Sequence, residues 1–270
     1  MIDLDRYFER IGWTEPVSPT LTTLRGLLHA HMTAIPFENL DVLLHRPPSL
    51  ALADLQAKLI DRRRGGYCFE QATLFHAVLE RLGFTVLRHS ARVTVDTPKE
   101  RAPRTHMLLT VELSEGGFAL DPGFGSLAPM VPVPLDGTEV TARPGAAKEM
   151  TYWLERSIDG RQGEEWTLKV RTPDAVIDAW VTPMAVDHPI DFVMANHYTA
   201  TYPQSHFLDK LMLRMFVGGD TVRLLNDQLT VDGVARPLAD RAELQAALLQ
   251  YFNVDVDVSR LIVPGVPAWT

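Results

Sequence analysis

The hydrophobic period changes near residue 85 of this chain, and that change restricts the fold more than any other feature. Before it, apolar residues recur at steps of three and four. Leu4, Phe8 and Ile11 mark a short helix closed by Gly12, and Leu21, Leu24, Leu27, Leu28 and His31 mark a second that ends before Pro36. Ala51 to Ile60 reads as a third helix. Cys68, Ala72, Phe75, Leu79 and Leu82 line one face of a fourth, which stops near Gly83. Beyond that point Thr85–Arg88, Ala91–Val95, Met107–Leu113 and Phe118–Leu120 read as strands, before Pro129, Pro132 and Pro134 interrupt the pattern. Trp166–Val170, Val222–Leu225 and Gln228–Val231 are further strand candidates, the last two flanking the turn signal Asn226-Asp227. A final helix is predicted over Arg241–Phe252. Helices, then strands, then a mixed tail favour an α+β fold over a doubly wound parallel sheet.

The chain has 270 residues and a formal net charge of −8, which argues against nucleic acid or an anionic membrane as partner. Its 46% hydrophobic residues suffice for a packed core. A single cysteine excludes an internal disulfide, so no oxidising compartment is required. Residues Met1–Arg6 carry no basic stretch leading into an apolar run, and no run of about 18 apolar residues exists to span a bilayer. A cytoplasmic location is the expectation.

That lone cysteine lies in Arg64-Gly65-Gly66-Tyr67-Cys68-Phe69-Glu70, at the start of the fourth helix. Unpaired backbone N–H groups and the helix dipole favour thiolate in a first turn, and thiolate is the nucleophilic form. The glycine pair permits close backbone approach, which a merely packing cysteine does not need. Cys68 is therefore the candidate nucleophile.

Two partners suit it. His106 stands at the mouth of a strand, and Asp121 stands where a strand passes into Pro122-Gly123-Phe124-Gly125. An imidazole that takes the thiol proton needs a carboxylate to set its tautomer and orientation. Ser114–Gly117 is the expected hairpin turn. Folded about Glu115-Gly116, however, the hairpin sets Asp121 opposite Thr110 and leaves it roughly 13 Å from His106 along the strand. His76 lies about 12 Å along the helix from Cys68, too far to act as base. No His-Glu-x-x-His pattern is present, and one cysteine cannot build a thiolate cage, so no metal is expected. Arg62-Arg63-Arg64 reads as a helix end, with Arg64 in a buried salt bridge.

Taken together, these segments resemble the arylamine N-acetyltransferase family. Ile35-Pro36-Phe37-Glu38-Asn39-Leu40 is similar to its Pro-Phe-Glu-Asn segment, and Arg64 to Gln71 to its nucleophile motif. Thr105-His106-Met107, Asp121 to Gly125, and Asn196 with Ser205-His206-Phe207 match further segments in the family's order. Two departures stand out: Ala72 where many relatives carry Asn, and Pro122 where a small or β-branched residue is usual. The resemblance implies a helical bundle over 1–85, a central β-barrel over 86–190 and an α/β lid over 191–270. It also implies a papain-like Cys68–His106–Asp121 triad. Acetyl-CoA would acetylate Cys68, and an aromatic amine or hydrazine would then take the acetyl group, with no metal cofactor. Phe37 and Phe124 are candidates for the apolar wall beside the acceptor ring. Gly123, Gly125 and Ser126 either approach the CoA pantetheine or simply form a turn. An amide synthase closing a macrolactam and a cysteine hydrolase remain alternative readings of the same triad.

Overall fold

A computed structural model describes residues 1–142, 149–159, 163–217, 220–266 and 269. The N-terminal part is helical. In α1 (Leu4–Ile11), the Asp3 carboxylate accepts the Arg6 N–H, and Gly12 closes the helix in the left-handed region at φ +67°. Thr20 caps α2 (Leu21–Ala34) in the same way. The chain then forms β1 (Phe37–Glu38), α3 (Leu40–Leu43) and α4 (Leu52–Leu55). The helix expected over Ala51–Ile60 changes winding: α4 passes into a π-helix at Gln56–Asp61, which buries Lys58, Leu59 and Ile60 in succession. Cys68 opens α5 (Cys68–Arg81).

The barrel follows. Its strands are β2 (Thr85–Val93), β3 (His106–Leu113), β4 (Gly116–Leu120), β5 (Val133–Pro134), β6 (Val140–Ala142), β7 (Met150–Asp159), β8 (Gly163–Arg171) and β9 (Val176–Thr182). They form one antiparallel sheet in the order β5-β4-β3-β2-β9-β8-β7-β6, nearly closed where β5 lies against β7. The two strands expected at Thr85–Arg88 and Ala91–Val95 are one. His89 and Ser90 continue the ladder opposite Leu108 and Met107, and the His89 ring bonds the Thr110 hydroxyl at 2.8 Å.

Past the barrel come α6 (Pro189–Thr201), α7 (His206–Asp209), β10 (Met212–Val217), β11 (Asp220–Leu225), β12 (Gln228–Val231), β13 (Val234–Pro237) and α8 (Arg241–Phe252). The second sheet runs β1-β10-β11-β12-β13. Its first strand thus comes from the helical part of the chain, with Phe37 opposite Arg214. Asn39 secures this junction. Its side-chain amide donates to the Phe207 and Lys210 carbonyls, and its oxygen accepts the Met212 N–H at 2.8 Å.

Strand β3 is buried on both faces. Met107, Leu109 and Val111 join the core beneath α2 and α5, whereas Leu108 belongs to the barrel interior with Trp180 and Leu168. Its parity therefore sets His106, Leu108 and Thr110 on one face.

Candidate active site

Cys68 occupies the first position of α5, where backbone N–H groups have no acceptor within the helix. Buried charge secures this turn. The Glu70 carboxylate accepts the Tyr67 N–H at 3.2 Å and meets Lys58 Nζ at 2.8 Å. Lys58 also pairs with Asp41 at 2.7 Å, and Asp41 shares Arg64 with Glu38. The buried salt bridge expected for Arg64 is present, at 2.7 Å from Glu38. Burial, reinforced by the neighbouring Glu38 and Asp41 carboxylates, outweighs Lys58 and pushes the Glu70 carboxyl up to about 7.

The glycines around this turn answer to backbone contact. A Cβ on Gly65 would stand 2.2 Å from the Pro36 carbonyl oxygen, and one on Gly123 would stand 2.5 Å from Cys68 Cα. The Asp121–Gly125 segment therefore rests directly on the cysteine backbone, which no side chain in place of Gly123 would permit.

His106 Nε2 lies 2.8 Å from Asp121 Oδ2, and both residues are buried. The remaining ring nitrogen, Nδ1, is the one left for Cys68, whose nearness also helps raise the imidazole. Burial alone would hold His106 down; the Asp121 charge and hydrogen bond prevail and push it up to about 10. A raised imidazole favours the imidazolium form beside the cysteine. The thiol also reaches the Thr105 carbonyl at 3.8 Å.

The hairpin resolves the spacing that its expected turn left open. Leu113 pairs with Gly116, so Ser114-Glu115 makes the turn and the register moves by two residues. Leu109 faces Leu120, which sets Asp121 beside Leu108 and diagonal to His106, within side-chain reach.

Trp180 escaped sequence reasoning. Its indole N–H donates to Asp121 Oδ2 at 2.9 Å from β9, 59 residues along the chain. Tyr67, beside Cys68, is a second such residue: its hydroxyl donates to the Asn196 amide oxygen, and Asn196 in turn donates to the Pro48 carbonyl at 2.8 Å. Only the resemblance had singled out Asn196; for Trp180 no local pattern would have served.

Among the candidate substrate contacts, Phe124 packs its ring 4.9 Å from the His106 ring. Phe37 is partly buried, meets Gly66 in a backbone bridge and lies 6.4 Å from the Phe207 ring. Gly123 is buried against Cys68, whereas Gly125 takes φ +79° and opens the 3-10 turn Gly125–Leu127. The Ser126 side chain lies outside the described residues. No group of three or more metal-ligating side chains occurs among the described residues, and no described helix is long and apolar enough to cross a membrane.

A helix opening on a buried cysteine, set against a barrel that carries a histidine and a carboxylate, fits the papain-like class of fold. Comparison with known proteins narrows it. The profile of the N-acetyltransferase family matches residues 20–261. Arylamine N-acetyltransferase of Escherichia coli (strain K12) is 35% identical over 260 residues, covering 94% of this chain and 89% of that protein. The solved arylamine N-acetyltransferase from Salmonella typhimurium superposes with a TM-score of 0.83 at 33% identity, covering 94% and 92% of the two chains. The Mycobacterium marinum arylamine N-acetyltransferase solved in complex with CoA gives a TM-score of 0.84 at 30% identity, covering 93% of each chain. The chain belongs to the arylamine N-acetyltransferase family, a family of acyltransferases.

Proposed function

We propose that this enzyme transfers an acetyl group from acetyl-CoA to an aromatic amine or hydrazine by a ping-pong cycle through Cys68. The observation that carries the reading is the buried His106–Asp121 pair, 2.8 Å apart, with Cys68, at the start of α5, near enough to raise the imidazole further. The Cys68 thiolate attacks the thioester carbonyl, and the oxyanion draws on the Cys68 backbone N–H. Collapse forms the acetyl–sulfur bond and breaks the bond to CoA, whose sulfur leaves with the proton from His106. The amine nitrogen then attacks acetyl-Cys68, yields its proton to His106 and releases the thiolate. Asp121 holds the ring orientation and stabilises the imidazolium throughout.

Phe124 and Phe37 form the apolar wall for the acceptor ring, where aromatic stacking supplies affinity. Gly123, Gly125 and Ser126 make the backbone surface along which the pantetheine arm approaches. The three units of this reading are 1–85 for the nucleophile, 86–190 for the histidine and carboxylate, and 191–270 for the lid. A reduced thiol nucleophile and acetyl-CoA as donor favour a cytoplasmic setting.

Intact-protein mass after mixing with acetyl-CoA tests the reading. We expect a gain of one acetyl group that is absent in Cys68→Ser and removed by an arylamine. A readily alkylated Cys68 that acetyl-CoA never labels would overturn it in favour of a longer acyl thioester donor, and loss of the label without amine would indicate a hydrolase.

A further inference from the structure

A cavity of about 460 Å³ opens between the loop before α4, α5, β2 and α6, and none of Cys68, His106 and Asp121 lines it. Pro48, Leu50, Phe192 and Val193 give it apolar walls. Arg88, on β2, is the only charged residue among the described lining residues. Its Nη2 donates to His76 Nδ1 at 2.9 Å. Burial, with Arg88 adjacent, holds His76 down to about 4, so the imidazole accepts this bond as a neutral ring and adds no charge. Glu80 Oε2 stands 3.1 Å from His76 Nδ1 and 4.0 Å from the guanidinium, on a side chain that is 56% exposed and does not line the cavity. The Nε and Nη1 groups of Arg88 have no protein acceptor among the described residues.

The walls are held in place before any ligand arrives. Asn196 lines the cavity with both ends of its amide engaged, by the Tyr67 hydroxyl and the Pro48 carbonyl. A preformed, mainly apolar space of this size with one convergent cation matches the general form of a small-molecule site. We propose that it binds a small apolar carboxylate, such as an arylalkanoate, with the carboxylate on the Arg88 guanidinium and the apolar body against Leu50, Phe192 and Val193. A planar carboxylate suits the guanidinium fork. A phosphate dianion would keep a second negative charge unmatched, because Arg88 is the one cation among the described lining residues, and a protonated amine would find no anion on the cavity wall.

The test is calorimetric titration of the full chain with 4-phenylbutyrate, repeated after Cys68 is blocked with iodoacetamide and repeated with 4-phenylbutanol. We expect saturable binding that survives blocking of Cys68 and weakens about tenfold or more for the neutral alcohol, since the charge-assisted bonds are lost. Arg88→Met should weaken the carboxylate by a similar factor, and Val193→Trp, on a 48% exposed position of α6, should fill the space and abolish binding. Both variants should acetylate amines at the parent rate. Equal binding of acid and alcohol, undiminished binding in Val193→Trp, or no saturable binding by the parent would each overturn the proposal; the Val193 variant and the alcohol decide the matter even if Arg88→Met fails to fold.

Discussion

His106 and Asp121 meet diagonally across the β3–β4 hairpin, Nε2 to Oδ2 at 2.8 Å, because the turn falls at Ser114-Glu115. Their contact has a pH signature. His106 is raised well above its ordinary value, to about 10. The stability this pair contributes is present in full below the unfolded histidine value of roughly 6.5 and is lost as pH climbs toward 10. We expect the parent to lose stability from pH 7 to pH 10 relative to Asp121→Asn, measured by denaturant unfolding. Parallel curves for the two proteins would show that the pair does not titrate in this way.

Asp121→Asn should also cost about four orders of magnitude in acetyl transfer, by presenting the wrong hydrogen-bonding partner to His106 Nε2. Single-turnover deacetylation of acetyl-Cys68 by an arylamine measures this directly, and a rate equal to the parent's would remove Asp121 from the mechanism.

Trp180 reaches the same carboxylate oxygen as His106, and the other oxygen, Oδ1, is buried with no hydrogen-bond partner among the described residues. Trp180→Phe should therefore lower stability by about 1.5–3 kcal/mol, the usual worth of a hydrogen bond to a charged group. It should slow transfer without raising the amine KM, because the indole steadies Asp121 and does not touch the acceptor. A change confined to KM would count against that role.

Gly123→Ala forces a methyl to within 2.5 Å of Cys68 Cα. The loop must move away from Cys68, and, on the proposed mechanism, a displacement of that kind costs on the order of a hundredfold in rate. Steady-state kinetics on a variant that still melts cooperatively would show this as a loss in kcat; parent-like turnover would mean that the contact is dispensable.

Lys58→Met leaves Asp41 and Glu70 without their shared cation, at a cost of about 3–5 kcal/mol for a broken buried pair. Glu70 is already raised to about 7 in the parent, and losing Lys58 raises it further. A raised carboxyl is most favourable to the folded state at low pH and loses that advantage as pH rises through its folded value. The variant's deficit should therefore be smaller at pH 5 than at pH 8, which urea midpoints at the two pH values would reveal.

Much of this architecture was legible because its signals are local. The α5 face, the final helix Arg241–Phe252 and the Asn226-Asp227 turn follow from periodicity and turn chemistry, and the structure reproduces them. Strands β7 and β9 were not legible. Their outward faces carry charges that mask alternation, and those charges find partners only across the sheet, as Arg156 does with Glu164 and Lys169 with Asp178. Helix α6 hid behind its mixture of histidine, tyrosine and threonine, although Pro189 at its start and Asp191 accepting the His188 N–H were available signals.

By itself the sequence determined the change from helix to strand, the place of Cys68 at a helix start and the short motifs that mark the family. These depend on neighbours within one or two turns of chain. Tertiary structure alone decided that His106 and Asp121 touch, that Trp180 joins them and that Phe37–Glu38 edges the distant sheet. Each of these depends on the closing of a turn or a barrel. A two-residue shift of register, invisible in composition, halves the offset between two strand positions and turns a gap into a hydrogen bond.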